Sequence, residues 1–502
     1  MAHQRKSAKL TLTSLVLMIF TSVFGFTNIP RAFYLMGYAA IFWYIIAALT
    51  FFIPFAFMIA EYGAAFKDYS GGIYSWMAVS FGPEFAFIGT FMSYASYIVW
   101  MVNIGSAIWI PFSSALFGTD KTQQWSFLGL GSVQTLGLLA IAWMLVVTFI
   151  STKGLGWVKR LTSIGGIAVA LINVILLAGG FFILLANHKL AEPLSIKALV
   201  TSPNPDFTSL ISIFSFLVYA IFAYGGLEVT GGLVDETKNA AVTFPRGITL
   251  AAVTISTGYA LGIFIFGAFT NWTFAFTQFG TAKINLGNVA YVAMNNMGYQ
   301  FGHALAVPEA TARLMGQWLS RYMGLSMFLA LSGAFLTLVF SPLKQLIEGT
   351  PNGIWPKKLV KLKHDVPVNA MKVQATIVIL IIALVSFGGN GAKTFFDILV
   401  SMTNVAMTIP YLFIAFAFLG FKRNATITKP FVVYKTKFST GLGVGLVLFS
   451  VGFANIFTII EPAIHGNWLK TGYTIAGPIL FSLIAWGLYH RYQKQLSEQP
   501  KK

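Results

Sequence analysis

One carboxylate stands inside an apolar, glycine-rich stretch of this chain. Glu228 lies within the run Phe222-Ala223-Tyr224-Gly225-Gly226-Leu227-Glu228-Val229-Thr230-Gly231-Gly232. A carboxylate is costly to hold in apolar surroundings and is normally kept there for function or paired. Because it can take up and release a proton, Glu228 is a candidate proton carrier. The alternative is a protonated side chain that caps a broken helix end without any coupling role.

A second segment combines small and polar residues with a proline. It reads Thr21-Ser22-Val23-Phe24-Gly25-Phe26-Thr27-Asn28-Ile29-Pro30. Proline lacks a backbone donor, and Gly25 and Asn28 tolerate non-helical dihedrals, so a helix break is predicted here and a second one around Gly226. Unwound backbone leaves N–H and C=O groups free for a ligand, and a half-helix N-terminus favours a carboxylate. The alternative is close helix packing or a proline kink without a ligand.

A third group of residues is spaced for one face of a helix. The four residues lie three positions apart and would face a site between helices: Tyr94, Tyr97, Trp100 and Asn103. The alternative is ordinary packing. Two further carboxylates, Glu61 and Glu461, fall at predicted helix ends and are interpreted as structural.

The elements that must position these residues are membrane spans. The chain has 502 residues, of which 57% are hydrophobic and only 10% are charged, whereas soluble proteins have about a quarter charged. A spanning helix needs roughly 20 mostly apolar residues. The sequence predicts no separate soluble domain. It predicts twelve such helices, near residues 10–35, 38–61, 84–117, 128–150, 157–186, 207–235, 246–270, 314–347, 373–390, 394–420, 440–461 and 472–491.

The net charge of +18 indicates topology rather than nucleic-acid binding. Of the 33 Lys and Arg, 24 fall at the two chain ends and in the even-numbered loops, and six in the odd-numbered loops. Basic residues favour the cytoplasmic side and the anionic headgroups there. We therefore expect both termini to be cytoplasmic, with the lipid bilayer and no nucleic acid as partner.

Several kinds of chemistry have no motif in this sequence. There is no Cys, no GxxxxGK[ST] phosphate loop, no HExxH and no GxSxG, and all six His are assigned to loops or chain tails, with His490 at the very end of the last predicted span. The sequence therefore predicts no metal site, no cofactor and no enzyme.

The two predicted breaks lie in helices one and six, which are five helices apart. Because five is odd, the second block of helices would insert upside down relative to the first, and a ligand site would lie between the two broken helices. The sequence thus predicts inverted repeats over residues 10–186 and 207–420, with two extra helices over 440–491.

Four stretches carry a resemblance to a known family. They are Gly25-Phe26-Thr27-Asn28-Ile29-Pro30; Glu61, Gly71-Gly72-Ile73-Tyr74-Ser75-Trp76 and Phe81-Gly82-Pro83; Tyr224-Gly225-Gly226-Leu227-Glu228 with Asp235-Glu236-Thr237-Lys238-Asn239 and Phe244-Pro245-Arg246; and Ser341-Pro342-Leu343-Lys344 with Gly353-Ile354-Trp355-Pro356. On these the chain resembles the amino acid–polyamine–organocation superfamily, in particular its glutamate/GABA antiporter-like group.

The resemblance implies an all-α polytopic membrane protein of the LeuT-type fold that moves amino acids by alternating access. It implies a substrate-binding site in which the backbone at the first break receives the carboxylate, the second break holds the amino group and the third helix faces the substrate. The residues so implied are Phe24, Gly25, Phe26 and Thr27; Tyr224, Gly225 and Gly226; and Tyr97, Trp100 and Asn103, with Glu228 as the proton-coupling residue. The chain has Phe24-Gly25 where the family pattern often has Ser-Gly, which removes a hydroxyl donor.

The function expected from sequence is secondary active transport of amino acids or related zwitterions across the cytoplasmic membrane, with proton coupling or antiport. A sodium-coupled symporter of the same fold is the alternative, and a passive channel is a more distant one. The substrate stays open at this point.

Overall fold

The computed structural model describes residues 9–69, 71–278, 284, 286–351, 353–363 and 366–498, without the side chains of Leu155, Asn390 and residues 392–397. These described residues are helical and form no strand, only three isolated bridges. The prediction of an all-α chain is confirmed.

Within the described part of the chain, twelve helical segments are long and apolar enough to cross a membrane, as predicted. They are numbered here as spans 1 to 12 in chain order. Their bounds are Leu12–Met36, Ala39–Ala65, Pro83–Phe117, Ser132–Ser151, Gly156–Asn187, Leu210–Leu233, Ala240–Phe269, Glu309–Gly349, Val368–Phe387, Ile398–Arg423, Lys437–Ile464 and Trp468–Ser497.

Span 1 is discontinuous where the sequence predicts it. A first helix, Leu12–Val23, ends at Phe24, whose backbone is extended, and a second helix, Asn28–Met36, begins four residues later. Gly25 lies in the gap, and Pro30 falls in the first turn of the second helix, where its missing N–H costs no helical hydrogen bond.

Span 6 is also discontinuous. Its α-helix, Leu210–Phe222, gives way to a 3₁₀ helix, Leu227–Leu233. Between them Gly226 has a φ of +108°, and a Cβ built on it would lie 2.6 Å from the carbonyl oxygen of Ser22. Only glycine meets both conditions, the left-handed backbone and the close approach of span 1.

Two shorter helices join the spans on opposite sides of the molecule. Ile73–Ser80 lies between spans 2 and 3 and follows Gly72, which has a φ of +48° and packs on the backbone of Gly231. Val289–Ala304 lies between spans 7 and 8 and packs along span 8. The sequence did not predict either helix.

Large apolar side chains cover the outside of the spans. Leu145, Phe149, Leu380 and Phe449 are each more than half exposed. Such a surface suits hydrocarbon, which also requires the backbone polar groups to be paired within each span. The interior around spans 1, 2, 6 and 7 is aromatic and includes Tyr44, Tyr224 and Tyr259.

The start of the described chain packs against the loop after span 6. The N–H of Leu10 donates to Glu236 O at 2.8 Å, and the N–H of Lys238 donates to Leu10 O at 2.9 Å. We call this side, where span 1 begins and span 12 ends, the N-terminal face, and the other side the opposite face. That the N-terminal face is cytoplasmic stays a prediction, as do the repeat boundaries 10–186 and 207–420.

Candidate functional site

A cavity of about 500 Å³ lies between spans 1, 3, 6, 8, 10 and 11. Its inner end reaches Tyr97 in the middle of span 3 and the break of span 6 at Gly225 and Gly226. Its outer end reaches Ser215 and Glu461, which lie near the opposite-face ends of spans 6 and 11. The cavity therefore leads from the opposite face to a helix break in mid-span.

The predicted proton carrier lies immediately behind the inner end of this cavity. Glu228 is buried, and the hydroxyl of Tyr97 donates a hydrogen bond to its Oε1. Its other oxygen, Oε2, has no hydrogen-bond partner among the described residues. On the far side of Glu228 lies a small pocket of about 10 Å³, whose mixed lining includes the polar side chains of Thr90, Ser93 and Gln345. Glu228 thus lies between the cavity and this small pocket, which is nearer the N-terminal face.

A tyrosine on span 7 joins the two helix breaks. The N–H of Gly25 donates to the hydroxyl oxygen of Tyr259 at 2.9 Å, and Asn28 Nδ2 donates to the same oxygen at 3.2 Å. The Tyr259 hydroxyl in turn donates to Ala223 O at 3.2 Å. Phe24 stacks on the Tyr259 ring at 4.5 Å between centroids. The backbone donor of the first break therefore has a protein partner in this conformation.

The structure brings only some of the predicted binding residues to the cavity. Tyr97, Trp100, Gly225 and Gly226 line it. Phe24, Gly25, Phe26 and Thr27 lie outside the lining, and Phe26 is fully buried.

Two other predicted residues also lie away from the cavity. Tyr224 is buried, stacks on Phe52 at 4.7 Å and donates its hydroxyl to Tyr44 O at 3.3 Å. Asn103 is exposed on span 3 and outside the lining, because residues three apart drift around a helix.

Sequence reasoning missed most of the cavity wall. Tyr411 on span 10 accepts the N–H of Gly226 at 2.9 Å, and Asn404, Thr458 and Glu461 line the outer part. The sequence predicts a structural role for Glu461, but the residue lines the cavity; a carboxylate within an apolar helix is the signal that could have identified it. The other carboxylate of that kind, Glu61, does have structural contacts: it pairs with Lys422 at 2.8 Å and accepts the N–H groups of Val433 and Tyr434.

The N-terminal face is closed by buried polar contacts below Glu228. Lys344 on span 8, whose side chain is 2% exposed, pairs with Asp235 at 2.9 Å and with Glu236 at 3.0 Å. Ser341, one turn earlier, donates to Val229 O at 2.5 Å. Burial raises the pKa of the Asp235 carboxyl, and the Lys344 ammonium offsets part of that rise. These bonds hold the second half of span 6 against span 8.

The described residues offer no group of three His, Cys, Asp or Glu side chains placed to hold a metal ion. What the geometry provides is a cavity that a small molecule can enter from one face. Its inner end meets an ionisable group and two interrupted spans.

Comparison with known proteins gives the family. The profile of amino acid permeases matches residues 10–481. The chain is 48% identical to the inner membrane transporter YjeM of Salmonella typhimurium over 504 residues, which is 100% of this chain and 99% of that protein. It is also 48% identical to YjeM of Escherichia coli K12, over 98% of both chains. The aspartate/glutamate permease AcaP of Lactococcus lactis is 26% identical over 80% of this chain and 78% of its own length.

These matches cover nearly the whole chain, so the resemblance drawn from its motifs is confirmed. This protein belongs to the amino acid permease family and is a membrane transporter.

Proposed function

We propose that this protein is a secondary active transporter that carries amino acids or related amines across the cytoplasmic membrane by alternating access. The observation that carries the proposal is the cavity, which leads from one face to the break of span 6, beside Ser22 of the discontinuous span 1, and stops there. A site built at discontinuous helices near mid-membrane is typical of secondary transporters. Membership of the amino acid permease family supports the substrate class.

Alternating access needs a site that is open to one face and closed to the other, and this structure has both features. On the opposite face the cavity reaches Glu461; on the N-terminal face Lys344, Asp235 and Glu236 hold span 6 against span 8. In our proposal spans 1, 2, 6 and 7 rock against spans 3, 4, 5, 8, 9 and 10. The Lys344 pairs and the Ser341 bond then break when the N-terminal face opens.

Glu228 is the proposed proton-coupling group. It belongs to the moving span 6 and accepts from Tyr97 on the static span 3, so its bond changes when the spans rock. The cavity lies on one side of it and the pocket of Thr90, Ser93 and Gln345 on the other. A proton taken up from the cavity would leave through that pocket once the N-terminal face opens.

Proteoliposomes loaded with unlabelled amino acids test the proposal. We expect saturable counterflow of labelled amino acid that depends on pH and persists when Na⁺ is replaced by choline. Loss of uptake in choline would support the sodium-coupled alternative. Flux that neither saturates nor shows counterflow would support a channel, which the closed inner end of the cavity disfavours.

The same chain allows its orientation to be tested, because it contains no Cys. We propose a cytoplasmic N-terminal face. Single cysteines at Ser497, near the end of span 12, and at Lys470, in the exposed first turn of span 12, mark the two faces. A membrane-impermeant maleimide should label Lys470→Cys in intact cells and Ser497→Cys only after lysis; the reverse pattern would invert the topology.

A further inference from the structure

The side chains that line the cavity are aromatic and acidic rather than basic. Among its described lining residues there is no Lys, Arg or His, and Glu461 supplies a carboxylate at the outer end. Tyr97, Trp100, Tyr219, Phe222, Tyr411 and Phe457 supply six aromatic rings. A ring face attracts a cation, most strongly where water is excluded. The cavity walls therefore favour binding of a positively charged substrate over a negatively charged one.

Three backbone donors at the helix breaks already have protein partners. The N–H of Gly25 donates to Tyr259, that of Gly225 to Phe222 O at 3.0 Å, and that of Gly226 to Tyr411 at 2.9 Å. A second carboxylate on the substrate would meet Glu461 on its way in and Glu228 behind Tyr97. No described lining residue is a cation that would offset this repulsion, and Arg31, which interacts with Tyr219, lies outside the lining.

From this charge pattern we propose that the transported substrate is a cationic amine, of which a basic amino acid such as lysine is the simplest example. The inference rests on the proposed transport function and narrows its substrate class. In this proposal, Glu461 attracts the cationic side chain of the substrate at the outer end of the cavity, and the aromatic rings of the wall stabilise that cation farther inward. An acidic amino acid, the substrate in the name of the Lactococcus relative, is disfavoured.

The surroundings of Glu461 are compatible with this role. Its side chain is 35% exposed, and the one ionisable group within ion-pair distance of it in the described structure is the largely exposed imidazole of His465, at 3.7 Å. Lys470 lies in a neighbouring surface pocket that shares Asn404 with the cavity, but it does not line the cavity itself. The carboxylate is thus free to face a cation that enters from the opposite face.

Uptake of labelled lysine, leucine and glutamate into proteoliposomes tests the inference. We expect the KM for lysine to be about tenfold below that for leucine, and glutamate uptake to be at background. Glu461→Gln should raise the ratio of the lysine KM to the leucine KM about tenfold. The matched control is Glu309→Gln, a carboxylate at the start of span 8 that pairs with Arg313 outside the cavity and should leave the ratio unchanged.

The outcomes separate this inference from the proposed function. Counterflow of leucine or glutamate without lysine would overturn the cationic substrate and leave the transport proposal standing. An unchanged ratio in Glu461→Gln would overturn the role of Glu461. If Glu461→Lys still carries lysine as the wild type does, the charge inference is wrong. If no amino acid shows counterflow, the transport proposal itself fails.

Discussion

The hydroxyl of Tyr97 donates a hydrogen bond to Oε1 of Glu228 and so joins the long helix Pro83–Ala107 of span 3 to the discontinuous span 6. Both groups are buried at the point where the cavity ends. A change in the protonation of this carboxylate therefore acts directly on the contact between span 3 and the broken span 6.

The first prediction concerns Glu228. Glu228→Gln keeps the size and an acceptor for Tyr97 but cannot exchange a proton. We expect the pH dependence of uptake to disappear while the protein remains folded and still exchanges substrate. Initial rates across a series of pH values, with circular dichroism as the folding check, measure this. A pH profile equal to that of the wild type would rule out the carrier role, and Glu309→Gln serves as the control.

The second prediction concerns Tyr259, which bonds to both helix breaks. Tyr259→Phe removes an acceptor from Gly25 and Asn28 and a donor to Ala223, so we expect unfolding to become easier by about 1–3 kcal/mol. Hydrogen exchange at the amide of Gly25 should also become faster.

A buried tyrosine away from the breaks provides the control for Tyr259. Tyr62 donates to Ile414 O at 3.3 Å, so Tyr62→Phe also loses a buried hydrogen bond. It should lower stability without changing exchange at Gly25. Equal exchange at Gly25 in both variants would contradict the connection through Tyr259.

The third prediction concerns closure of the N-terminal face. Lys344→Gln leaves Asp235 and Glu236 without their buried cation, a change that typically costs about 3–5 kcal/mol. We expect the population to shift towards states open on that face. A cysteine at Ser93, in the pocket behind Glu228, should then react faster with reagent applied from the N-terminal face.

An exposed lysine on the same face controls for charge alone. Lys358→Gln should leave the reactivity at position 93 unchanged. If Lys344→Gln does the same, the buried pairs do not hold the face closed. Adding Asp235→Asn to Lys344→Gln should restore part of the closure, since it removes one uncompensated charge.

The fourth prediction concerns Glu192, in the loop between spans 5 and 6. Burial raises the pKa of its carboxyl, and the N–H of Trp272, which donates to Oε2 at 2.7 Å, offsets part of the rise. The folded protein thus binds this proton more tightly than the unfolded chain. The stability it contributes is present below the ordinary pKa and is lost as pH rises through the raised one.

Glu192→Gln tests whether the stability contributed by Glu192 falls as pH rises. The amide oxygen can still accept from Trp272, but it does not ionise, so we expect thermal stability to vary less between acidic and neutral pH. Thermal unfolding in detergent measures the difference. Parallel pH curves for the variant and the wild type would contradict the prediction.

The sequence predicted the spans and both breaks because these depend on local features. Long apolar runs set the spans, and Gly25, Pro30 and Gly226 set the breaks. Val289–Ala304 was missed because Asn295, Asn296, Gln300 and His303 interrupt its apolar residues.

The cavity wall was less predictable because it depends on which helix faces meet. Tyr259 bonds to Gly25 from 234 residues away, and Tyr411 bonds to Gly226 from 185 residues away. No local pattern marks such partners. The lining positions that could be predicted are Gly225 and Gly226, which a local helix break marks, and Tyr97 and Trp100, which lie on a helix face distinguished by its spacing.

The contact of Gly226 with the backbone of Ser22 limits how this protein could be redesigned. The two broken spans touch there without an intervening side chain, so we expect them to move together. Any larger residue at position 226 would force them apart. The size of the accepted substrate should therefore be changed elsewhere in the cavity wall, where Trp100 and Phe222 can be replaced by smaller residues without disturbing the contact between Gly226 and Ser22.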